Sequence, residues 1–196
     1  MSMLIDYNLI GKAVDFYVAK GYEHINVDWM VAPRFSFMTY GKEGAQFRTL
    51  SSTGYAQHLV GSAEQGFIQA VNKKEVEFDR RYVSVTPCFR RGDIGPVNQE
   101  WFMKVELSAV SKDNTVWFEE MLEDAWQCFD YLGAQQGKMR LWLDDNGQKD
   151  IMHEYMDGYL ELGSYGYRSL DGLTNGNCLI HYATGLALPR FQLILP

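Results

Sequence analysis

Two runs of residues near the middle of the chain alternate with a period of two, a pattern that extended strands with one buried face satisfy and helices do not. In Arg81–Arg91, Val83, Val85 and Phe89 fall on one face, while Ser84, Thr86, Cys88 and Arg90 fall on the other. In Gln99–Leu107, Trp101, Met103, Val105 and Leu107 alternate with Glu100, Phe102, Lys104 and Glu106. Gly92-Asp93-Ile94-Gly95-Pro96 between them supplies turn residues. The two runs therefore predict a hairpin whose polar face carries an arginine, an aromatic ring and a carboxylate.

With 196 residues, 46% of them hydrophobic, the chain is long enough for one domain with a substantial core, taken as residues 1–196. The formal net charge of -7 argues against a protein whose main task is gripping a polyanion. No apolar run approaches the ~20 residues needed to span a bilayer, and the first residues lack the basic start and apolar stretch of a signal peptide, so a cytoplasmic location is expected and no membrane partner. Cys88, Cys128 and Cys178 are odd in number and far apart, which predicts reduced, buried thiols.

Along the chain, Leu9, Ile10, Ala13, Val14 and Tyr17 recur at helical spacing, predicting a helix over 8–20 with Gly21 as its cap. Ile25, Val27, Trp29 and Val31 alternate with polar neighbours and predict a half-buried strand over 25–31 that ends near Pro33. Residues 34–54 read as short strands or irregular connections. A strand over 55–62, a short helix over 64–71 and a charged turn over 73–81 follow. The apolar stripe of Trp117, Phe118, Met121, Leu122, Ala125, Phe129 and Leu132 predicts a helix. Strands are expected over 138–143 and 158–164, with a turn at 144–147 between them. A last strand over 178–183 is read as passing through Thr184-Gly185 into an apolar helix that begins at about Leu188.

There is no Walker-type phosphate loop, no GxGxxG after a strand, no HExxH and no GxSxG, and His24, His58, His153 and His181 are scattered. Four segments instead resemble, in order, the catalytic domain of class II aminoacyl-tRNA synthetases, the seryl type above all. Helix 8–20, strand 25–31 and Pro33 resemble the family's first motif. Pro87-Cys-Phe-Arg-Arg91 and Phe102-Met-Lys-Val-Glu-Leu107 resemble the two strands of the second. Thr184-Gly-Leu-Ala-Leu-Pro-Arg190 is similar to the third. Gly61-Ser-Ala-Glu64 resembles the seryl-type loop that holds the substrate's amino group, and Glu161-Leu-Gly-Ser164 the strand that helps hold magnesium.

The resemblance implies an α/β fold of the α+β kind, a mainly antiparallel sheet flanked by helices, and a homodimer through the first helix and strand. It implies ATP and Mg2+, and an amino-acid substrate activated as its adenylate. Arg90 and Arg190 would be catalytic. Arg90, Phe102, Arg190 and Asp93 would bind ATP, with Phe102 stacking on adenine; Ser62, Glu64 and Glu106 would hold the amino acid; Glu161 and Ser164 would hold the metal. The chemistry suits these residue types, because joining two anions and expelling pyrophosphate requires fixed cationic charge where negative charge builds up. Arginine adds a fork that matches carboxylate and phosphate oxygens.

The sequence departs from the pattern at Gly92, where the second motif normally has an acidic residue that helps recognise adenine; Asp93 is the nearest substitute. The loop from Arg91 to Asn98 is short, and neither an anticodon-binding domain nor a coiled-coil arm is recognised, so the expected acceptor of the activated amino acid is something other than a conventional tRNA. The seryl-like pocket implies a small polar amino acid. The alternatives are a noncatalytic paralogue that binds an amino acid or nucleotide and regulates a partner, and a minimal synthetase that charges tRNA.

Overall fold

The computed structural model describes residues 4–40, 46–92, 94–144, 147–173 and 177–195. Asp6 starts the first helix, α1 (Tyr7–Ala19), by accepting a hydrogen bond from the Asn8 amide at 2.9 Å. Gly21, at φ +90°, reverses the chain after it. Short strands β1 (Glu23–His24) and β2 (Met30–Val31) follow, then helix α2 (Pro33–Tyr40), strands β3 (Arg48–Leu50) and β4 (Ala56–Leu59), and helix α3 (Ala63–Lys73). The predicted hairpin is present as β5 (Arg81–Phe89) and β6 (Trp101–Ser111), in antiparallel register with Ser84 opposite Glu106 and Cys88 opposite Phe102. Helix α4 (Trp117–Tyr131) precedes a meander of β7 (Met139–Leu143), β8 (Lys149–Tyr155), β9 (Gly158–Leu170) and β10 (Cys178–Leu188).

Among the described residues, seven strands form one mixed, mostly antiparallel sheet in the order β1-β5-β6-β10-β9-β8-β7, with β1 and β5 the parallel pair, and β2-β4-β3 form a small second sheet. The architecture is α+β. Helices α1 and α4 cover one face of the large sheet, burying Ala13, Tyr17, Met121 and Phe129 against Val83, Val105, Leu107 and Ala183. On the opposite face α3 covers only part, packing Phe67 and Ile68 against Tyr82, Val110 and Ile180. What α3 leaves uncovered is the polar face of the hairpin.

Four expectations are corrected. The strand over 25–31 is not one strand: β1 pairs with β5, β2 pairs with β4 in the other sheet, and the backbone between them leaves both ladders. It lies against α3 instead, where Gly66 lets the helix meet the Asp28 carbonyl so closely that a Cβ there would sit 2.5 Å from it. The Asp28 carboxylate accepts from Gln69 Nε2 and Lys73 Nζ, both at 2.6 Å, and fastens the crossing. Second, residues 34–40, read as short strands or irregular connections, lie in helix α2, which Pro33 opens because its missing N–H costs nothing at a first helical position.

Third, Thr184-Gly185 is not a strand-to-helix turn. β10 continues to Leu188 along β6 after a register shift at that point, and the ensuing helix is a short 3-10 helix, Arg190–Ile194, with Pro189 at its cap. The backbone ladder to β6 outweighs the helical preference of Leu186, Ala187 and Leu188. Fourth, β8 was not foreseen and β9 runs six residues past Ser164, to Leu170. Residues 145 and 146 of the expected turn at 144–147 lie outside the described residues. The three cysteines are free and buried. No helix among the described residues is long and apolar enough to cross a membrane.

Candidate active site

The uncovered part of the sheet face forms the floor of a cavity of about 460 Å³. Ser62, Glu64, Arg90, Phe102, Glu106, Glu161, Ser164 and Arg190 all line it, although they come from five separate stretches of chain. Asp93 lies outside the described residues; Gly92 beside it is at the cavity rim.

Alternation places Phe102, Lys104 and Glu106 on the same face of β6. For Glu161 and Ser164, three residues apart, alternation alone predicts opposite faces. The register of β8 on β9 shifts between Ile151 and Met152, so that Ile151 faces Gly163 and Met152 faces Glu161. This bulge brings both side chains to the cavity, the use to which bulges beside functional sites are put. The β10 shift at Gly185 does the same for Thr184 and Ala187. Tyr17 of α1 fills the space beneath, its hydroxyl donating to the Gly185 carbonyl at 2.9 Å, and a Cβ at Gly185 would lie 2.8 Å from the ring.

At one end of the cavity the Arg90 guanidinium stands over the Phe102 ring, 5.0 Å from its centroid, with Nε donating to the Gly61 carbonyl at 2.9 Å. Arg190 reaches the same space from beyond β10. Its Nη2 donates to Asn98 Oδ1 at 3.0 Å, and Nη1 lies 3.5 Å from Glu161 Oε1. Asp150, opposite Ser164 in the β8–β9 ladder, is pushed above the usual carboxylate range by burial and then by the Glu161 charge.

At the centre, Glu106 is buried, with Oε2 accepting from Lys104 Nζ at 2.8 Å and from Ser62 Oγ at 2.9 Å. Ser62 stands at the N-cap of α3 but makes no capping bond; its hydroxyl is given to Glu106 instead. Glu106 Oε1 is buried with no hydrogen-bond partner among the described residues. At the inner end, Glu64 is buried and paired with Arg168, Nε to Oε1 at 2.8 Å. Burial raises the Glu64 carboxyl above its usual range, against the pull of Arg168. The arginine lies over the Tyr182 ring at 4.9 Å, and the Tyr182 hydroxyl, pushed up to about 12 by burial, donates to Gln148 Oε1 at 2.9 Å.

Lys104, Arg168, Tyr182, Gln148 and Asn98 were not singled out from the sequence. For Lys104 the signal was present, since it sits between Phe102 and Glu106 on the polar side of the alternation. Arg168 follows Ser164 and Gly166 at even spacing, a signal visible once β9 is carried to Leu170. Nothing local marks Gln148 or Asn98. Glu64 falls in the first turn of a helix, where a carboxylate complements the dipole, but the buried Arg168 pair is the interaction it makes.

No protein-family model matches the chain. A serine–tRNA ligase of Campylobacter hominis is 24% identical over 189 residues, covering 89% of this chain and 45% of the relative. Among solved structures, cytoplasmic serine-tRNA ligase of Naegleria fowleri, in complex with AMP, superposes with a TM-score of 0.70 at 18% identity, covering 98% of this chain and 49% of that one. Seryl-tRNA synthetase of Pyrococcus horikoshii, complexed with ATP, gives 0.73 at 17% identity, covering 96% and 49%. This chain spans about half the length of each of these proteins. It therefore has the fold of a class II synthetase catalytic core of the seryl type.

Proposed function

We propose that this chain activates an amino acid with ATP, forming the aminoacyl adenylate, and passes it to an acceptor other than a conventional tRNA. One observation carries the reading: Arg90 over Phe102, Arg190 beside Glu161, and a buried Glu106 with one oxygen unpartnered among the described residues all line one cavity. Five cationic side chains, Arg90, Arg91, Lys104, Arg168 and Arg190, face three carboxylates there, in a chain whose net charge is -7. That local excess suits a polyphosphate and a carboxylate.

In the proposed reaction a carboxylate oxygen of the amino acid attacks the α-phosphorus, the acyl–phosphate bond forms, and the bond to pyrophosphate breaks. No side chain serves as nucleophile. Arg90 would hold the attacking carboxylate and the α-phosphate together, Phe102 would lie against adenine, and Arg190 would meet the departing phosphates. Ser62, Glu64 and Glu106 would hold the amino acid. The donor set near Glu161 and Ser164 fits Mg2+, a hard cation that takes oxygen ligands and commonly needs only one or two carboxylates besides phosphates and water. Bound there, Mg2+ would offset charge on the phosphates, and Asp93 would be the acidic residue that meets the nucleotide.

The test is amino-acid-dependent exchange of labelled pyrophosphate into ATP across all common amino acids. Exchange with at least one is expected. Failure with every amino acid, alongside retained binding of one ligand, would overturn activation in favour of a noncatalytic binding module, the reading that Gly92 favours.

A further inference from the structure

We infer that the inner end of the cavity selects an amino acid whose side chain carries a carboxylate, and that Arg168 is the residue that reads it. The inference rests on the activation reading above and names the substrate class for that site.

Arg168 is held as a template. Its Nε is engaged by Glu64, its plane lies over Tyr182, and Tyr182 is anchored through Gln148. Gly166 makes the arrangement possible, because a Cβ at that position would come within 2.7 Å of the Tyr182 hydroxyl oxygen. Yet the pairing with Glu64 uses one donor only. Among the described residues, the hydrogen bond and the ion pair found for Arg168 both run from Nε to Glu64 Oε1, and the side chain lines the cavity. An arginine retained only to neutralise a buried carboxylate gains most by engaging it with two parallel donors. Here the two-nitrogen end of the fork is left for something else, and a second carboxylate is the group it matches.

Glu106 Oε1 supplies the complementary gap, a buried acceptor lacking a donor while its twin oxygen already has two. A ligand that satisfies both carries an ammonium and a second anionic group besides the α-carboxylate assigned to Arg90. An acidic α-amino acid has these three groups. Serine would leave the Arg168 fork without an acceptor, and a basic side chain would bring a cation against Arg168 and Lys104. The amide analogues asparagine and glutamine match the shape but not the charge.

The experiment compares aspartate, glutamate, asparagine, glutamine and serine in pyrophosphate exchange by the full chain. One acid is expected to exceed its own amide and serine in kcat/KM by about 10⁴–10⁵, the scale on which a site built to hydrogen-bond a substrate group rejects the analogue lacking it. Arg168→Leu should bring the acid-to-amide ratio close to one while ATP binding, followed by calorimetry, stays unchanged. Arg168→Lys, which keeps a cation beside Glu64 but loses the fork, should fall between. If Arg168→Leu fails to fold because Glu64 is stranded, Arg168→Gln, which can still donate to Glu64, should likewise lose the preference for the acid.

Exchange with serine or another neutral amino acid and not with either acid would overturn this inference and leave activation standing. If no amino acid supports exchange, activation fails, and calorimetry with the same five amino acids decides the selectivity. Binding of an acid that Arg168→Leu abolishes supports it, and binding indifferent to the side-chain carboxylate overturns it.

Discussion

Arg90 shows how much one side chain is asked to do. It stands over Phe102, is steadied by the Gly61 carbonyl, and would bridge the two anions that react. Removing a preorganised charge that meets the transition state costs about 10²–10³ in rate, so Arg90→Ala should lower pyrophosphate exchange by at least that factor while the fold, followed by circular dichroism, is retained. Undiminished exchange in that variant would show that the arginine is not at the reacting centre. A second residue acts on stability alone. His181 is buried, its Nε2 is 3.1 Å from Ser111 Oγ, and burial lowers its pKa from 6.5 to about 4. The unfolded chain therefore takes up a proton as pH falls below about 6.5 and the folded chain does not until about 4. The stabilisation is present above 6.5 and is lost as pH falls through that window. The loss should be on the order of 2–3 kcal/mol across that window. Urea midpoints measured across the window should fall for the natural chain and flatten for His181→Gln; identical slopes would exclude this histidine as the cause.

Among the elements, α3 brings Ser62 and Glu64 to the cavity, and its placement hinges on Gly66. A Cβ there would lie 2.5 Å from the Asp28 carbonyl and 3.1 Å from Val27, so Gly66→Ala must push the helix off the crossing segment. A destabilisation of about 1–3 kcal/mol is expected, the usual cost of overpacking, against the smaller gain that alanine brings to an open helix. Equilibrium denaturation measures it, and an equal or raised midpoint would mean the contact is soft. The same glycine shows where sequence reading stops. Helices α1, α3 and α4 and the β5–β6 hairpin were legible because each carries its own periodicity. Residues 25–31 carry a period of two as well, but their partner is a helix that approaches through a missing side chain, which no local pattern reports. The bulges that turn Glu161 to the cavity and carry β10 past Gly185 are likewise set by neighbouring strands. Thus Arg90, Phe102 and Glu106 could be grouped from alternation alone, whereas Glu161, Ser164, Arg168 and Tyr182 come together only through pairing between distant strands.

For the whole molecule, the resemblance of residues 8–31 to the first synthetase motif carries a proposal about assembly: two copies pair through α1 and the segment that follows it. Apolar side chains stay exposed in those stretches, with Tyr7 at 64%, Val18 at 47%, Trp29 at 54% and Met30 at 45%. The opposite side of α1 is spent on the core through Leu9, Ile10, Ala13 and Tyr17, so these outward residues do not contribute to the monomer's own packing. With a net charge of -7 on each copy, association must rest on apolar contact strong enough to offset repulsion between like-charged protomers. Aromatic and methionine side chains at the centre of such a contact are the ones that interfaces enrich. Placing a charge there should therefore separate the copies without disturbing either fold. Sedimentation velocity is expected to give a two-copy mass for the natural chain and a single-copy mass for Trp29→Glu/Met30→Lys. The dissociated variant should keep the natural circular dichroism spectrum, and pairing of the natural chain should weaken as salt is lowered and the charge of -7 on each copy is less screened. A single-copy mass for the natural chain, or a two-copy mass that survives the double substitution, would remove this face from consideration.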